Sequence, residues 1–184
     1  ADIFFEIKNC DLTGNMKFIA RTPWGEFDAE AKILTEYNIF NLLASLPYFY
    51  SVGGDVPSFF QSLSSLSLPE GRLQKINERP IYIDYAHTPH ALEQACKSLK
   101  NHENKLILVF GAGGDRDTGK RKQMGEVADK YADEIIVTSD NPRNEDPAKI
   151  ADMIIDGISN ESKIHIELDR SKAISRAIDK MDGT

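Results

Sequence analysis

From about residue 70 onward the chain repeats one unit, an apolar strand, a polar loop and an amphipathic helix, with a period of about 25 to 30 residues. That rhythm admits few architectures, because a parallel neighbour strand can be reached only through a long crossover, usually a helix. Strands are predicted over 72–76, 80–84, 105–110, 134–138 and 163–167, and helices over 89–100, 120–131, 147–158 and 171–181. Apolar residues recur at i, i+3, i+4 and i+7 in three of the helices: Leu92, Ala95, Cys96 and Leu99; Met124, Val127, Ala128 and Tyr131; Ile174, Ala177, Ile178 and Met181. The expected fold class is α/β, a Rossmann-like, mostly parallel sheet with flanking helices. Thr88-Pro89 and Asp146-Pro147 each read as an N-cap followed by proline at the first helical position. Both stand where a strand has just ended, so their helix N-termini are expected to face a cleft.

Residues 1–69 follow a different pattern. Short alternating segments at 3–8, 16–21 and 24–28 suggest antiparallel strands, with turns at Thr13-Gly14-Asn15 and Pro23-Trp24-Gly25. Helices are predicted over 37–52 and 56–66. The expected organisation is therefore the tail of one domain over 1–69 and most of a second over 70–184. The chain opens at Ala1 inside a strand and stops at Thr184 where the rhythm calls for another strand, so truncation at both ends is expected.

Charge narrows the partners. A net charge of −7 with no lysine or arginine stripe argues against nucleic acid or an anionic membrane as the main partner. No apolar run approaches the roughly 20 residues of a membrane span and no signal peptide opens the chain, which makes a cytoplasmic location the expectation. The two cysteines, Cys10 and Cys96, are far apart and form no CxxC, so neither zinc nor a disulfide framework is supported. Cys96 reads as core.

Three loops carry chemistry. In Asp140-Asn141-Pro142-Arg143, after the strand 134–138, a carboxylate can accept from an ammonium, an amide can donate or accept, and a guanidinium fork matches a carboxylate. Pro142 pre-sets the turn. An amino acid is the ligand class this set suggests; plain turn chemistry with an exposed arginine is the alternative. Gly111-Ala112-Gly113-Gly114-Asp115-Arg116 precedes a helix as a phosphate loop would, yet a dinucleotide fingerprint needs glycine at Arg116 and a Walker loop needs a hydroxyl at Arg121. Its better use is close backbone approach to a ligand, with Arg116 as a second cation; a glycine turn with solvated charges is the alternative. Asp84-Tyr85-Ala86-His87 ends the strand 80–84. Asp84, His87 and His90 lack a convincing fourth metal partner, and a nucleotide contact suits the carboxylate and imidazole better. Asn41 falls on a mostly apolar helix, where a buried amide needs a partner, and Arg72 stands at the junction of the two parts, where it could reach an anion or form a plain salt bridge.

Taken in order, N-I-F-N-L-L, E-G-R-L, D-Y-A-H-T-P, G-A-G-G-D-R-D-T-G-K-R and T-S-D-N-P-R-N-E-D-P resemble the Mur ligase family of peptidoglycan synthesis over roughly residues 20 to 158. The resemblance is greatest to members that add meso-diaminopimelate to UDP-N-acetylmuramoyl-L-alanyl-D-glutamate, and it implies ATP and Mg²⁺ as cofactors. It makes 1–69 the end of a central ATP-binding domain and 70–184 a carboxyl-terminal ligase domain. It places Asn41, Arg72, Asp84 and His87 on the ATP side, and Arg116, Asp140, Asn141, Pro142 and Arg143 on the diaminopimelate side. Catalytic residues and metal ligands are not among those it assigns here. The family's UDP-binding domain, its Walker loop, its carbamylated lysine and its G-K-G-H-E motif have no counterpart in this sequence, so the segment alone is expected not to turn over ATP. The alternatives are a lysine-adding or folylpolyglutamate-type ligase, and a non-catalytic amino-acid or nucleotide binding module.

Overall fold

The structure is a computed structural model that describes residues 2–10, 15–33, 35–66, 69–77, 79–100 and 105–182. It divides into two compact units, Ala1–Tyr85 and Ala86–Thr184.

In the first unit β1 (Phe4–Cys10), β2 (Asn15–Thr22) and β3 (Gly25–Lys32) form an antiparallel sheet in that order. Strand alternation sends Met16, Phe18, Ala20, Ala29 and Ala31 to one face, where all are buried. That face is closed by α1 (Glu36–Ser51) and α2 (Val56–Ser62), through Ile39, Leu43, Leu46, Val56 and Phe60. Phe27 stacks on Phe60 with ring centroids 4.4 Å apart. Of the turn expected at Thr13-Gly14-Asn15, Thr13 and Gly14 lie outside the described residues, whereas the second turn is present between β2 and β3.

The next two strands are β4 (Gln74–Lys75) and β5 (Tyr82–Ile83), an antiparallel pair of their own. Both were expected longer and within the larger sheet. The reason they pair antiparallel is geometric: only residues 76–81 join them, while a parallel return takes about a dozen or more.

The second unit holds the parallel sheet β6 (Ile107–Phe110), β7 (Glu134–Val137) and β8 (Ile164–Ile166), in sequence order. Its helices are α3 (Pro89–Leu99), α4 (Gly119–Tyr131), α5 (Pro147–Ile155) and α6 (Arg170–Asp182). Ile135 and Val137 of β7 join a core with Leu92, Met124, Ala128, Ile150 and Ile154, so α3, α4 and α5 share one face. Ile136 points the other way and is equally buried, under the side where α6 contacts β6 and β7. Cys96 is core, as expected. Ile174 is a correction: it is 47% exposed, and Ala173 takes the buried position.

Both expected N-caps form. The Thr88 hydroxyl accepts from the Ala91 N–H at 3.2 Å and the Asp146 carboxylate from the Ala148 N–H at 2.9 Å. One close approach depends on glycine: a Cβ on Gly125 would lie 2.0 Å from the carbonyl oxygen of Ile154, so α4 and α5 touch backbone to backbone. Among the described residues no helix is long and apolar enough to cross a membrane.

Candidate functional site

In the second unit the loops that follow β6 and β7 meet beyond the carboxyl ends of the strands, where open parallel sheets place their ligands. Gly114 N–H donates to the Asn141 carbonyl at 2.8 Å, and Arg143 Nη1 donates to the Gly114 carbonyl at 2.5 Å. Gly114 is needed for this contact, since a Cβ there would sit 1.8 Å from the Pro142 carbonyl oxygen. Gly113 is equally bare for a purpose: a Cβ on it would meet Arg143 Nη1 at 3.0 Å and Arg116 Cγ at 3.9 Å. The guanidinium of Arg143 and the stem of Arg116, the two arginines expected to recognise a ligand, therefore lie beside the same glycine.

Their partners differ. Arg116 is exposed and forms no hydrogen bond or ion pair among the described residues. Arg143 adopts a left-handed backbone, with φ of 50°, as does Asp115 immediately before Arg116. For residues other than glycine this conformation costs about 1 kcal/mol or more, so surrounding bonds must hold it. Asp140 is not left alone to await an ammonium, because Arg170 at the start of α6 lies 3.5 Å from its carboxylate and also donates to the Ser139 carbonyl at 3.2 Å. Both members of that pair are about half exposed, so it adds little stability and can yield to a ligand.

Beneath the loops lies a residue pair not anticipated from the sequence. Arg121 is completely buried in the first turn of α4. Its Nη1 and Nη2 donate to the two Glu145 carboxylate oxygens at 2.7 and 2.8 Å, a bidentate pair, and Nη2 also donates to the Gly113 carbonyl at 3.1 Å. The Asp115 N–H donates to the same carboxylate at 2.5 Å. Arg121 first, then the Asp115 N–H, holds the Glu145 carboxyl down to about 2. The rim is closed by Asn144 Nδ2, which donates to the Asp115 carboxylate at 2.8 Å. A signal for Arg121 was present: with Met124, Gly125 and Ala128 it continues the i, i+3, i+4, i+7 stripe back by one turn.

The residues expected on the nucleotide side divide between the units. In the first, the Arg72 guanidinium lies 5.3 Å from the centre of the Tyr85 ring, and Asp84 accepts the Leu73 N–H at 2.9 Å. Both act on Tyr37, whose hydroxyl is pushed up by burial and by the Asp84 charge, with Arg72 opposing. Asn41 stands one helical turn after Tyr37, hence on the same side of α1, and it is exposed. The buried asparagine of that helix is Asn38. The correction follows from phase, since the buried stripe of α1 runs through Ile39, Leu43 and Leu46 and turns Asn41 away. His87 belongs to the second unit, is exposed, and offers its carbonyl to Lys120 Nζ at 3.0 Å. Among the described residues no group of three or more His, Cys, Asp or Glu side chains could hold a metal ion.

The family model for the Mur ligase glutamate ligase domain matches residues 71–183. The chain belongs to the Mur ligase family. Among its relatives in that family is the UDP-N-acetylmuramoyl-L-alanyl-D-glutamate–2,6-diaminopimelate ligase of Coxiella burnetii, 43% identical over 86% of this chain and 33% of the relative. The enzyme of the same name from Chlamydia muridarum is 44% identical over 84% and 34%. A solved structure of a ligase with this name, 38% identical, covers 96% of this chain and 37% of its own, with a TM-score of 0.59. A Mycobacterium tuberculosis folylpolyglutamate synthase solved with ADP and AMPPCP has a TM-score of 0.77 at 20% identity, over 97% and 41%, and shows the shared fold. The chain thus spans about a third of the length of the Mur ligase relatives it matches.

Proposed function

We propose that this chain supplies the amino-acid-binding part of an ATP-dependent ligase that joins meso-diaminopimelate to UDP-N-acetylmuramoyl-L-alanyl-D-glutamate. The observation that carries the reading is that the Arg143 guanidinium and the stem of the Arg116 side chain lie beside the same residue, Gly113, next to the Asp140-Asn141 turn. Two cations beside an acceptor turn suit a ligand with a carboxylate at its far end and an ammonium nearby. Lysine lacks the second carboxylate and would leave the guanidinium groups unmatched, which can support discrimination of about 10⁴-fold.

In this reaction ATP supplies the phosphoryl group that activates the glutamyl carboxylate as an acyl phosphate. The amine of the bound amino acid then forms the C–N bond, the C–O bond to phosphate breaks, and the ammonium proton is lost. The contribution of the second unit is positioning: the loops fix the distal end of the amino acid so that its amine is presented in one orientation. On the nucleotide side Arg72 suits a phosphate and Asp84 a ribose hydroxyl, and we assign Asn41, of the first unit, and His87, of the second, to ATP as well. Since the described residues offer no metal cluster, no step here is assigned to Mg²⁺. We place the domain boundary at 69/70, next to the start of the family match at residue 71, whereas the compact units divide later, between Tyr85 and Ala86.

The test is phosphate release by the full-length ligase containing this chain, with ATP, Mg²⁺ and the UDP-muramoyl dipeptide, comparing meso-diaminopimelate with L-lysine. Release with diaminopimelate alone, abolished by Arg143→Ala, is the expected result. Equal use of lysine overturns the substrate assignment.

A further inference from the structure

Arg116 and Arg143 come from different loops, and neither loop is fixed by regular secondary structure. Their spacing therefore depends on cross-links. Some join the loops directly, Gly114 N–H to the Asn141 carbonyl and Arg143 Nη1 to the Gly114 carbonyl, and the carboxylate of Glu145 adds three more bonds: it takes both Arg121 guanidinium nitrogens and the Asp115 N–H. Arg121 is completely buried and also holds the Gly113 carbonyl, so it anchors the arrangement to α4. Each recognition arginine sits beside a left-handed residue or is one, Asp115 before Arg116 and Arg143 itself. Those backbone conformations persist because the cross-links hold the chain on both sides of them, Glu145 after Arg143 and the Gly114–Asn141 bond before it.

We infer that Glu145, anchored by Arg121, is a positioning residue that sets the distance between Arg116 and Arg143 and thereby selects an amino acid with a distal carboxylate. The inference rests on the function proposed above. Glu145 touches no reacting atom in this account; it acts through the two arginines. Its loss lets the loops relax to ordinary backbone conformations, and the spacing of the two arginines is no longer fixed. An error of about 1 Å in such an arrangement can cost on the order of 100-fold.

The experiment is steady-state kinetics of the full-length ligase with Glu145→Gln, varying meso-diaminopimelate, ATP and L-lysine in turn. The expected result is a KM for meso-diaminopimelate raised roughly 10- to 100-fold, with the KM for ATP unchanged and the preference over lysine reduced. Glu145→Asp, which keeps the charge, should recover part of the loss. A variant that folds but keeps the wild-type KM and selectivity overturns the inference, as does a loss of kcat and of every KM alike. Should Glu145→Gln fail to fold, Glu145→Asp decides the matter, since it keeps the charge but draws the carboxylate back by one methylene from Arg121 and the Asp115 N–H; an unchanged KM and selectivity there overturn the inference. A wild-type enzyme with no preference for meso-diaminopimelate would instead remove the proposed function on which this rests.

Discussion

The Arg72–Tyr85 region and the Arg121–Glu145 region use the same kinds of residue to opposite ends. In the first, a guanidinium lies over a ring that is 65% exposed, and a half-buried carboxylate caps a backbone N–H nearby. In the second, a guanidinium with no solvent exposure locks onto a carboxylate that also takes a backbone N–H from another loop. Burial and shared anchors decide whether a charge belongs to the scaffold or remains available to a ligand. An arginine in a glycine-rich loop cannot be assigned to either role from its type alone.

Arg121→Ala should produce the largest effect. Its removal takes away both donors to Glu145 and the donor to the Gly113 carbonyl, and leaves a void where a side chain with no solvent exposure stood. Urea denaturation of the chain should show the loss, and a change below about 1 kcal/mol, the level of an exposed pair, would mean that the two regions do not differ as described.

Acid should act on the same contrast. The folded-state value of Glu145, about 2, lies below its ordinary 4.5, so the ionised carboxylate stabilises the fold fully above about pH 4.5 and ceases to do so as pH falls through about 2. The gap in Tm between wild type and Glu145→Gln should therefore narrow across that window. A gap that stays constant would show that the ion pair does not contribute through charge.

The smallest effect is expected at Arg72. Its contact with Tyr85 is an exposed cation–π pair, for which roughly 0.5–1 kcal/mol is typical, so Arg72→Ala should barely move the denaturation midpoint. A loss as large as that of Arg121→Ala would place Arg72 among the structural residues and sharpen the boundary between the two classes.

Local rules carried much of the fold into view before any coordinates. Thr88-Pro89 and Asp146-Pro147 announced two helices because capping chemistry acts within a single turn. The strands Ile107–Phe110 and Glu134–Val137 were visible as short apolar runs ahead of loops. What stayed hidden depended on long-range partners. Gln74–Lys75 and Tyr82–Ile83 could be seen as extended, but their pairing was fixed by the short connection rather than by their own residues. The site was readable as two loops with Arg116 and Arg143, since those motifs are contiguous. Arg121 went unassigned because a guanidinium on an apolar stripe makes sense only once Glu145, from the far loop, is beside it.

The backbone contact at Gly125 has a mechanical side. Helices that meet through side chains can slide by exchanging rotamers, whereas α4 and α5 meet where the carbonyl of Ile154 leaves no room for even a methyl group. The chain segments that deliver Arg116 and Arg143 each lead into one of these helices, so any displacement of one helix carries the other with it. The base from which the two loops rise is thus a ruler rather than a hinge, with the length between its two marks already cut.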